Sequence, residues 1–285
     1  MYHIIVNPLA SFGHGKRKLM RAEKYLKKRN AEYRIHRTSY AGHATQIARE
    51  LSEAGETEIL VFGGDGTVNE VLNGLVNLEN VHLGILAGGT ANDFVSYAKM
   101  PKQPEKMIDL ILRGEPKRTE YIVCGKYRSL NSVGTGIDVD VLQRCRGGKG
   151  KGRYWVSLLQ SVCSFRGNDF VARYNGEEKS YHAFLAVLCN GGMFGGGIRI
   201  CPDAKLDEGK LKLVIVDYMS GFRLLRALFA LISGRILKLD ATTCVDVESV
   251  EILPKKSFIL QLDGELYGNI PFRAHVEKGG IWLYR

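Results

Sequence analysis

The chain has 285 residues, 45% of them hydrophobic and 25% charged, the balance of an ordinary globular protein large enough for two cores, and this excludes disorder. Its 40 Lys and Arg against 30 Asp and Glu leave a net charge of +10, which favours an acidic partner, either nucleotide phosphates or an anionic membrane surface. Nucleic acid is set aside because no helix-turn-helix, zinc-finger or aromatic RNP pattern accompanies the basic residues. No apolar run reaches the ~18 residues of a membrane span. The start Met1-Tyr2-His3 lacks signal-peptide anatomy, and the six cysteines show no metal-ligand spacing, so a cytoplasmic protein with reduced thiols is expected.

In chain order, Tyr2 to Val6 reads as a strand, Lys16 to Arg29 as a helix, Glu32 to Thr38 as a strand and Ala44 to Ala54 as a helix. The apolar run Ile59 to Phe62 is a buried strand. A helix follows it, with Val68, Val71, Leu72 and Leu75 at i, i+3, i+4 and i+7. A strand at Leu83 to Leu86 and a helix at Lys102 to Arg113 continue the alternation, which implies a parallel sheet covered on both faces. From about Tyr121 the pattern turns to strands and hairpins. Gly125-Lys126 lies between Tyr121–Cys124 and Tyr127–Val133, and Asn175-Gly176 between Phe170–Tyr174 and Ser180–Leu188. Further strands are expected at Leu211–Val216, Val245–Leu253, Phe258–Leu262 and Phe272–Val276, with helices at Tyr154–Phe165 and Phe222–Ser233.

The expected fold is therefore α/β, with a parallel-sheet nucleotide-binding domain over residues 1–118 and a mainly β, sandwich-like domain over 119–275. The tail at about 276–285 is a candidate to rejoin the first domain.

Gly63-Gly64-Asp65-Gly66-Thr67-Val68-Asn69-Glu70 joins a strand to a helix through a glycine-rich turn. Its glycines admit close backbone approach, and the free N–H groups of the helix start suit a polyphosphate. It is not a Walker A loop, and Asp65 inside it implies a shared cation or basic side chain. Gly88-Gly89-Thr90-Ala91-Asn92-Asp93-Phe94 is a second such turn; by itself it is also consistent with a helix capped by Thr90 or Asn92. Asn7 and both turns follow strands, so they should converge at the carboxyl edge of one sheet. Leu262-Asp263-Gly264-Glu265 places two carboxylates after a strand, which a solvated β-turn would also explain. Gly191-Gly192-Met193-Phe194-Gly195-Gly196-Gly197 is a tight segment that either lines a pocket or turns the chain.

Taken together, Asn7-Pro8 with Gly13 and Gly15, Thr38, Gly42-His43-Ala44, GGDGTVNEVLNGL, GGTANDF, Asn131 to Asp138, the glycine cluster with Pro202, Ala204 and Gly209, and Asp263-Gly264-Glu265 occur in an order that resembles the diacylglycerol kinase catalytic family. These are soluble bacterial lipid kinases related to the sphingosine and ceramide kinases. The resemblance covers nearly the whole chain. It implies an ATP-dependent kinase that phosphorylates a lipid hydroxyl, diacylglycerol giving phosphatidic acid.

By the same resemblance, ATP is held by Asn7, Pro8, Leu9, Ala10, Ser11, Thr38, Gly63, Gly64, Asp65, Gly66, Thr67, Val68, Asn69 and Thr90. Ser11 stands where the family usually has glycine. Asp65, Asp93 and Glu120 match an acidic network that holds water-bound Mg²⁺ beside the phosphates, with Glu120 replacing the usual aspartate. Lys16 and Arg17 are its candidate basic partners, or simply a solvated first helical turn. The general base falls on Asp263 or Glu265. A structural Mg²⁺ site falls on Glu208 with the carbonyls of Lys205 and Lys210; Glu208 replaces an aspartate, and Asp207 is an alternative ligand.

Two segments bear on reaching lipid. Arg144 to Arg153, with Arg146, Lys149 and Lys151, is the candidate contact for anionic headgroups, which would make the protein peripheral at the inner membrane surface. Phe222 to Leu239 carries Phe222, Leu225, Leu228, Phe229 and Ile232 at helical spacing with Arg223, Arg226, Arg235 and Lys238 nearby. It fits an interfacial helix, but is read here as a core-facing helix with a solvated basic side. A free edge strand in the β domain would permit a homodimer. The rival functions are an NAD kinase-like enzyme, which shares a GGDG turn, and a non-catalytic nucleotide- or lipid-binding regulator.

Overall fold

The computed structural model describes residues 1–10, 14–145, 151–256, 258–268 and 270–285, with side chains described from 156 in the helix that begins at 151. The chain divides into two compact units, Met1–Glu120 with Lys278–Arg285, and Tyr121–Glu277.

In the first unit the elements alternate as β1 (Tyr2–Val6), α1 (His14–Lys28), β2 (Tyr33–Arg37), α2 (His43–Glu53), β3 (Glu58–Gly63), α3 (Asp65–Gly74), β4 (His82–Ala87), α4 (Asp93–Tyr97) and α5 (Pro104–Leu112). Strand β1 lies between β2 and β3, and β4 lies beside β3, all parallel. The apolar runs of β1 and β3 are buried on both faces, as a sheet sandwiched by helices requires. Helices α1 and α5 are tied together by Arg21, which grips Glu105 with two bonds of 2.8 and 2.9 Å, and by Tyr25 and Arg29, which both bond Asp109. Helices α2 and α3 pack so closely that a Cβ on Gly74 would run into the Thr45 carbonyl. Because the chain leaves β1 for β2 on one side and returns through β3 and β4 on the other, the sheet has a topological switch point at the carboxyl ends of β1 and β3.

The second unit begins within β5 (Lys117–Cys124), which opens a hairpin with β6 (Tyr127–Ser129), and continues through β7 (Ser132–Gly136), α6 (Ile137–Cys145), α7 (Lys151–Ser164), β8 (Asn168–Tyr174) and β9 (Glu177–Cys189). The short hairpin β10 (Met193–Phe194) and β11 (Ile198–Arg199) follows, then β12 (Leu211–Asp217), α8 (Gly221–Ile232), β13 (Thr242–Val247), β14 (Ser249–Pro254), β15 (Leu260–Leu262), β16 (Glu265–Tyr267) and β17 (Phe272–Leu283). Strand β9 organises this unit. Its first half pairs with β8, and its second half lies between β7 and β12. Residues 183–189 are accordingly buried without interruption. Leu211, Leu213 and Ile215 of β12 join the sandwich core with Phe170, Ile252 and Phe272, while Val216 faces the helices. The Asn175-Gly176 turn has φ of 51° and 78°, both left-handed, as a two-residue hairpin loop demands.

Three expectations are corrected. The run 245–253 is two strands, because Val247 still pairs with β12 whereas Ser249 begins the pairing of β14 with β17. The run Tyr127–Val133 breaks at Leu130 and Asn131, whose N–H groups go to the Asp263 carboxylate instead of a neighbouring strand. Of the apolar stripe expected on α8, Leu228 faces inward and the other four residues do not. Phe222, Leu225, Phe229 and Ile232 are exposed, and the inward side is formed by Leu224, Ala227, Leu228 and Leu231. No helix among the described residues is long and apolar enough to cross a membrane.

The tail of β17 returns to the first unit and pairs in parallel with β4 through Trp282 and Leu283. The Arg118 guanidinium stacks over Trp282 at 4.3 Å, and Arg285 donates to Thr119 at 2.7 Å. Gly280 has φ of 48°, and a Cβ there would meet the Thr119 carbonyl. Gly280→Ala is therefore expected to destabilise the protein by about 2–4 kcal/mol, read as a lower urea midpoint in equilibrium unfolding.

Asp138, on the first turn of α6, is 6% exposed. It accepts from the Val139 amide at 2.9 Å and is bonded by the Gln261 side chain, and Gly134 leaves room for its carboxyl. Burial pushes this carboxyl up to about 7, from 3.8. The native state therefore holds a proton that the unfolded chain has released. Stability from this group is full below about pH 4 and is lost as pH rises to about 7, an effect on the order of 4 kcal/mol. Asp138→Asn should flatten that part of the stability profile in denaturant titrations across the interval.

Candidate functional site

The switch point is built from two glycine turns in contact. The Gly63 carbonyl, at the end of β3, accepts from Gly88 at 2.8 Å and from Gly89 at 3.0 Å, both just beyond β4. A Cβ on Gly89 would collide with the Gly64 Cα, and one on Gly63 would collide with the Thr67 side chain, so the packing permits nothing larger than glycine at either place. Asn7, after β1, donates from Nδ2 to Thr67 Oγ1 at 3.1 Å and accepts from the Leu9 amide at 2.9 Å, which closes the turn over residues 7–10. Three strand ends thus meet, and Thr38 adds a fourth by donating its amide to the Val6 carbonyl at 2.9 Å. Ser11 lies outside the described residues.

Helix α3 starts at Asp65, so its first-turn N–H groups point out of the turn beside a half-buried carboxylate. Val68 closes its first helical bond to the Gly64 carbonyl, and Asn69 is buried. In the second turn Asn92 adopts φ of 52°, donates to the Gly89 carbonyl at 2.7 Å and accepts from the Gly89 amide at 3.1 Å. Its side chain braces the turn and does not cap α4. Thr90 is exposed, and Asp93 is buried at the start of α4. Glu120 is half-buried on β5.

Lys18 reaches this edge, and its Nζ donates to the Ala87 carbonyl at 3.0 Å. Lys16 and Arg17 are exposed. Lys18 heads a polar stripe with Arg21, Tyr25 and Arg29 at i, i+3, i+7 and i+11 on α1, a periodicity that would have singled it out. Oxygen-only carboxylate donors beside backbone N–H groups make this edge a fit for a polyphosphate with a hard divalent cation.

The second unit carries its own polar centre. Asp263 and Gly264 have φ of 51° and 88°, the two left-handed residues of the turn that joins β15 to β16. The Asp263 carboxylate is half-buried and hydrogen-bonded within the unit. Its Oδ1 accepts from Ser129 Oγ at 2.5 Å and from the amides of Asn131 and Ser132 at 2.9 and 3.0 Å, and its Oδ2 accepts from the Leu130 amide at 2.9 Å. Gln261 accepts from the Gly264 amide at 2.9 Å and connects the turn to Asp138. Glu265, on β16, is exposed. Asn131 donates to the Met193 carbonyl at 2.7 Å, so the same loop anchors the glycine cluster, which forms the β10–β11 hairpin. Ser129 and Gln261 carried no signal in the sequence, since their role depends on a turn more than 100 residues from the first of them.

At Ala204–Leu211, the Glu208 carboxylate accepts from Lys205 Nζ at 2.8 Å, and both side chains are exposed. Among the described residues, no three His, Cys, Asp or Glu side chains form a metal-holding group. The basic run 144–153 falls largely on residues 146–150, which lie outside the described residues, as do the side chains of 151–155.

Residues 1–124 match the diacylglycerol kinase catalytic domain, and residues 131–284 match the YegS C-terminal NAD kinase beta sandwich-like domain. The chain is 31% identical to a Chromohalobacter salexigens protein named "Probable lipid kinase YegS-like", over 85% of this chain and 80% of that one. It is 27% identical to a diacylglycerol kinase of Bacillus subtilis, over 94% and 90% of the two chains. A crystal structure of a diacylglycerol kinase from Bacillus anthracis superposes with a TM-score of 0.81 at 26% identity, covering 99% of this chain and 96% of that one. With the catalytic domain over the first unit and the sandwich-like domain over the second, this chain belongs to the diacylglycerol kinase and YegS-like family of lipid kinases.

Proposed function

We propose that this protein transfers the γ-phosphoryl group of ATP to a lipid hydroxyl, with diacylglycerol as acceptor and phosphatidic acid as product. The observation that carries this reading is the pair of glycine turns joined at the Gly63 carbonyl, which presents the start of α3 and Asp65 at one sheet edge. Residues Asn7 to Ala10, Thr38, Gly63 to Asn69 and Thr90 bind the nucleotide, and Lys18 adds positive charge at the lip of the second turn. Asp65, Asp93 and Glu120 would hold Mg²⁺ through its bound waters, and the ion would neutralise charge that develops on the phosphoryl oxygens. A second Mg²⁺ would be held by Glu208 with the carbonyls of Lys205 and Lys210, and it would have to displace the Lys205 ammonium, which donates to the Glu208 carboxylate at 2.8 Å.

The four bonds that Asp263 accepts support different roles for the two candidate bases. A carboxylate that accepts from Ser129 and three amides is an anchor that positions the turn, and Glu265 takes the proton from the acceptor hydroxyl. The protein works at a bilayer surface, where its acceptor resides.

The test is phosphate transfer from labelled ATP to a panel of diacylglycerol, monoacylglycerol, sphingoid base and phosphatidylglycerol, with NAD included as the rival acceptor. Transfer to diacylglycerol is expected; transfer to NAD alone would overturn the reading. Glu265→Gln should lower kcat by ~10² to 10⁴-fold with an unchanged melting temperature. Asp263→Ala should instead cost on the order of 3 kcal/mol of stability by stranding the loop amides. Full activity in Glu265→Gln would return the base to Asp263.

A further inference from the structure

Six of the ten large apolar side chains that are exposed among the described residues sit on two helices, α7 and α8. Phe222 is 82% exposed, Leu225 62%, Phe229 71% and Ile232 51%, at positions i, i+3, i+7 and i+10 of α8. They form a continuous stripe. Val156 and Leu159 of α7 are exposed to 55% and 56%. The opposite sides of both helices are already engaged, since Leu158 and Val162 of α7 and Leu224 and Leu228 of α8 line one apolar cavity. The outward residues are therefore not a core surface waiting for a neighbour within the unit. Grouped exposure of this size marks an interface.

Charge identifies the occupant. Helix α8 carries no acidic residue, and Arg223 and Arg226 on it, with Arg235 and Lys238 just beyond, are all exposed. A second copy of this chain would bring the same basic residues together across a symmetric contact, in a protein of net charge +10. An anionic bilayer suits both parts of the surface. Its acyl region takes the Phe, Leu and Ile stripe, and its headgroup phosphates take the arginines that border the stripe.

We propose that α8, with the outward residues of α7, is the membrane-docking surface of this protein and binds anionic phospholipid bilayers in the plane of the interface. The inference rests on the lipid-kinase reading for its choice of partner. Its test needs no turnover. The full chain is sedimented with vesicles of equal parts phosphatidylglycerol and phosphatidylcholine in the absence of ATP. The parent protein is expected to bind, and the double variant Phe222→Ser with Phe229→Ser to bind about tenfold or more weakly, with an unchanged melting curve. Arg223→Glu with Arg226→Glu should weaken binding to these vesicles and lower its sensitivity to salt. In a separate protein, Phe222→Trp should have its fluorescence quenched by vesicles with brominated acyl chains. Binding by the serine variant equal to the parent, or an unquenched Phe222→Trp on sedimented vesicles, would overturn the proposal. So would a parent dimer on size exclusion that the serine variant converts to monomer, because a second copy would then own the face. Loss of transfer to a short-chain acceptor dissolved below its aggregation limit would count against the kinase reading and leave the docking result standing.

Discussion

The carboxyl edge of the first unit's sheet depends on one acceptor, the Gly63 carbonyl, which takes two amides from the turn after β4. Both bonds form only if the two turns approach at backbone distance, and that approach excludes a Cβ at Gly63 and at Gly89. Everything else at the edge is arranged around this contact. Asn7 reaches Thr67 because Thr67 is pressed against Gly63, and Asn92 braces Gly89 from the other side. The proposed polyphosphate site rests on backbone geometry before any charged side chain is counted, because the N–H groups of α3 are left facing the concavity.

The second unit uses a different device, a carboxylate as the hub of a loop. Leu130 and Asn131 give up strand pairing, and Asp263 satisfies the amides so released. A buried N–H without a partner costs about 1–3 kcal/mol, so a single side chain that receives three amides and a hydroxyl holds the 129–132 loop and the β15–β16 turn in one arrangement. The neighbouring Asp138, whose carboxyl burial pushes up to about 7, is bonded through Gln261 to the same turn. This cluster sets two carboxyl groups in different environments, one accepting from a hydroxyl and three amides and one buried with its pKa pushed upward.

Where the two units differ in legibility, the cause is the range of the interactions involved. Strands β1, β3 and β4 are apolar runs, and the glycine turns follow them directly, so local pattern and final position agree. The hairpin at Asn175-Gly176 is legible for the same reason. Strands β13 and β14 read as one run because nothing local marks where pairing passes from β12 to β17. Helix α8 is apolar on nearly every side, so periodicity alone cannot assign its inward face; the choice was made by the cavity its Leu224 and Leu228 cover.

By itself the sequence determined the α/β order of the first unit, the two phosphate-type turns and the Asp263-Gly264-Glu265 motif, because each is set by residues adjacent in the chain. Tertiary structure alone decided that the turns touch through Gly63, that Lys18 meets the edge, and that Asp263 is hydrogen-bonded into the 129–132 loop. It also decided that the α8 stripe faces outward. Each of those outcomes depends on partners distant in sequence, whose hydrogen-bonding demands and packing volumes no local pattern records.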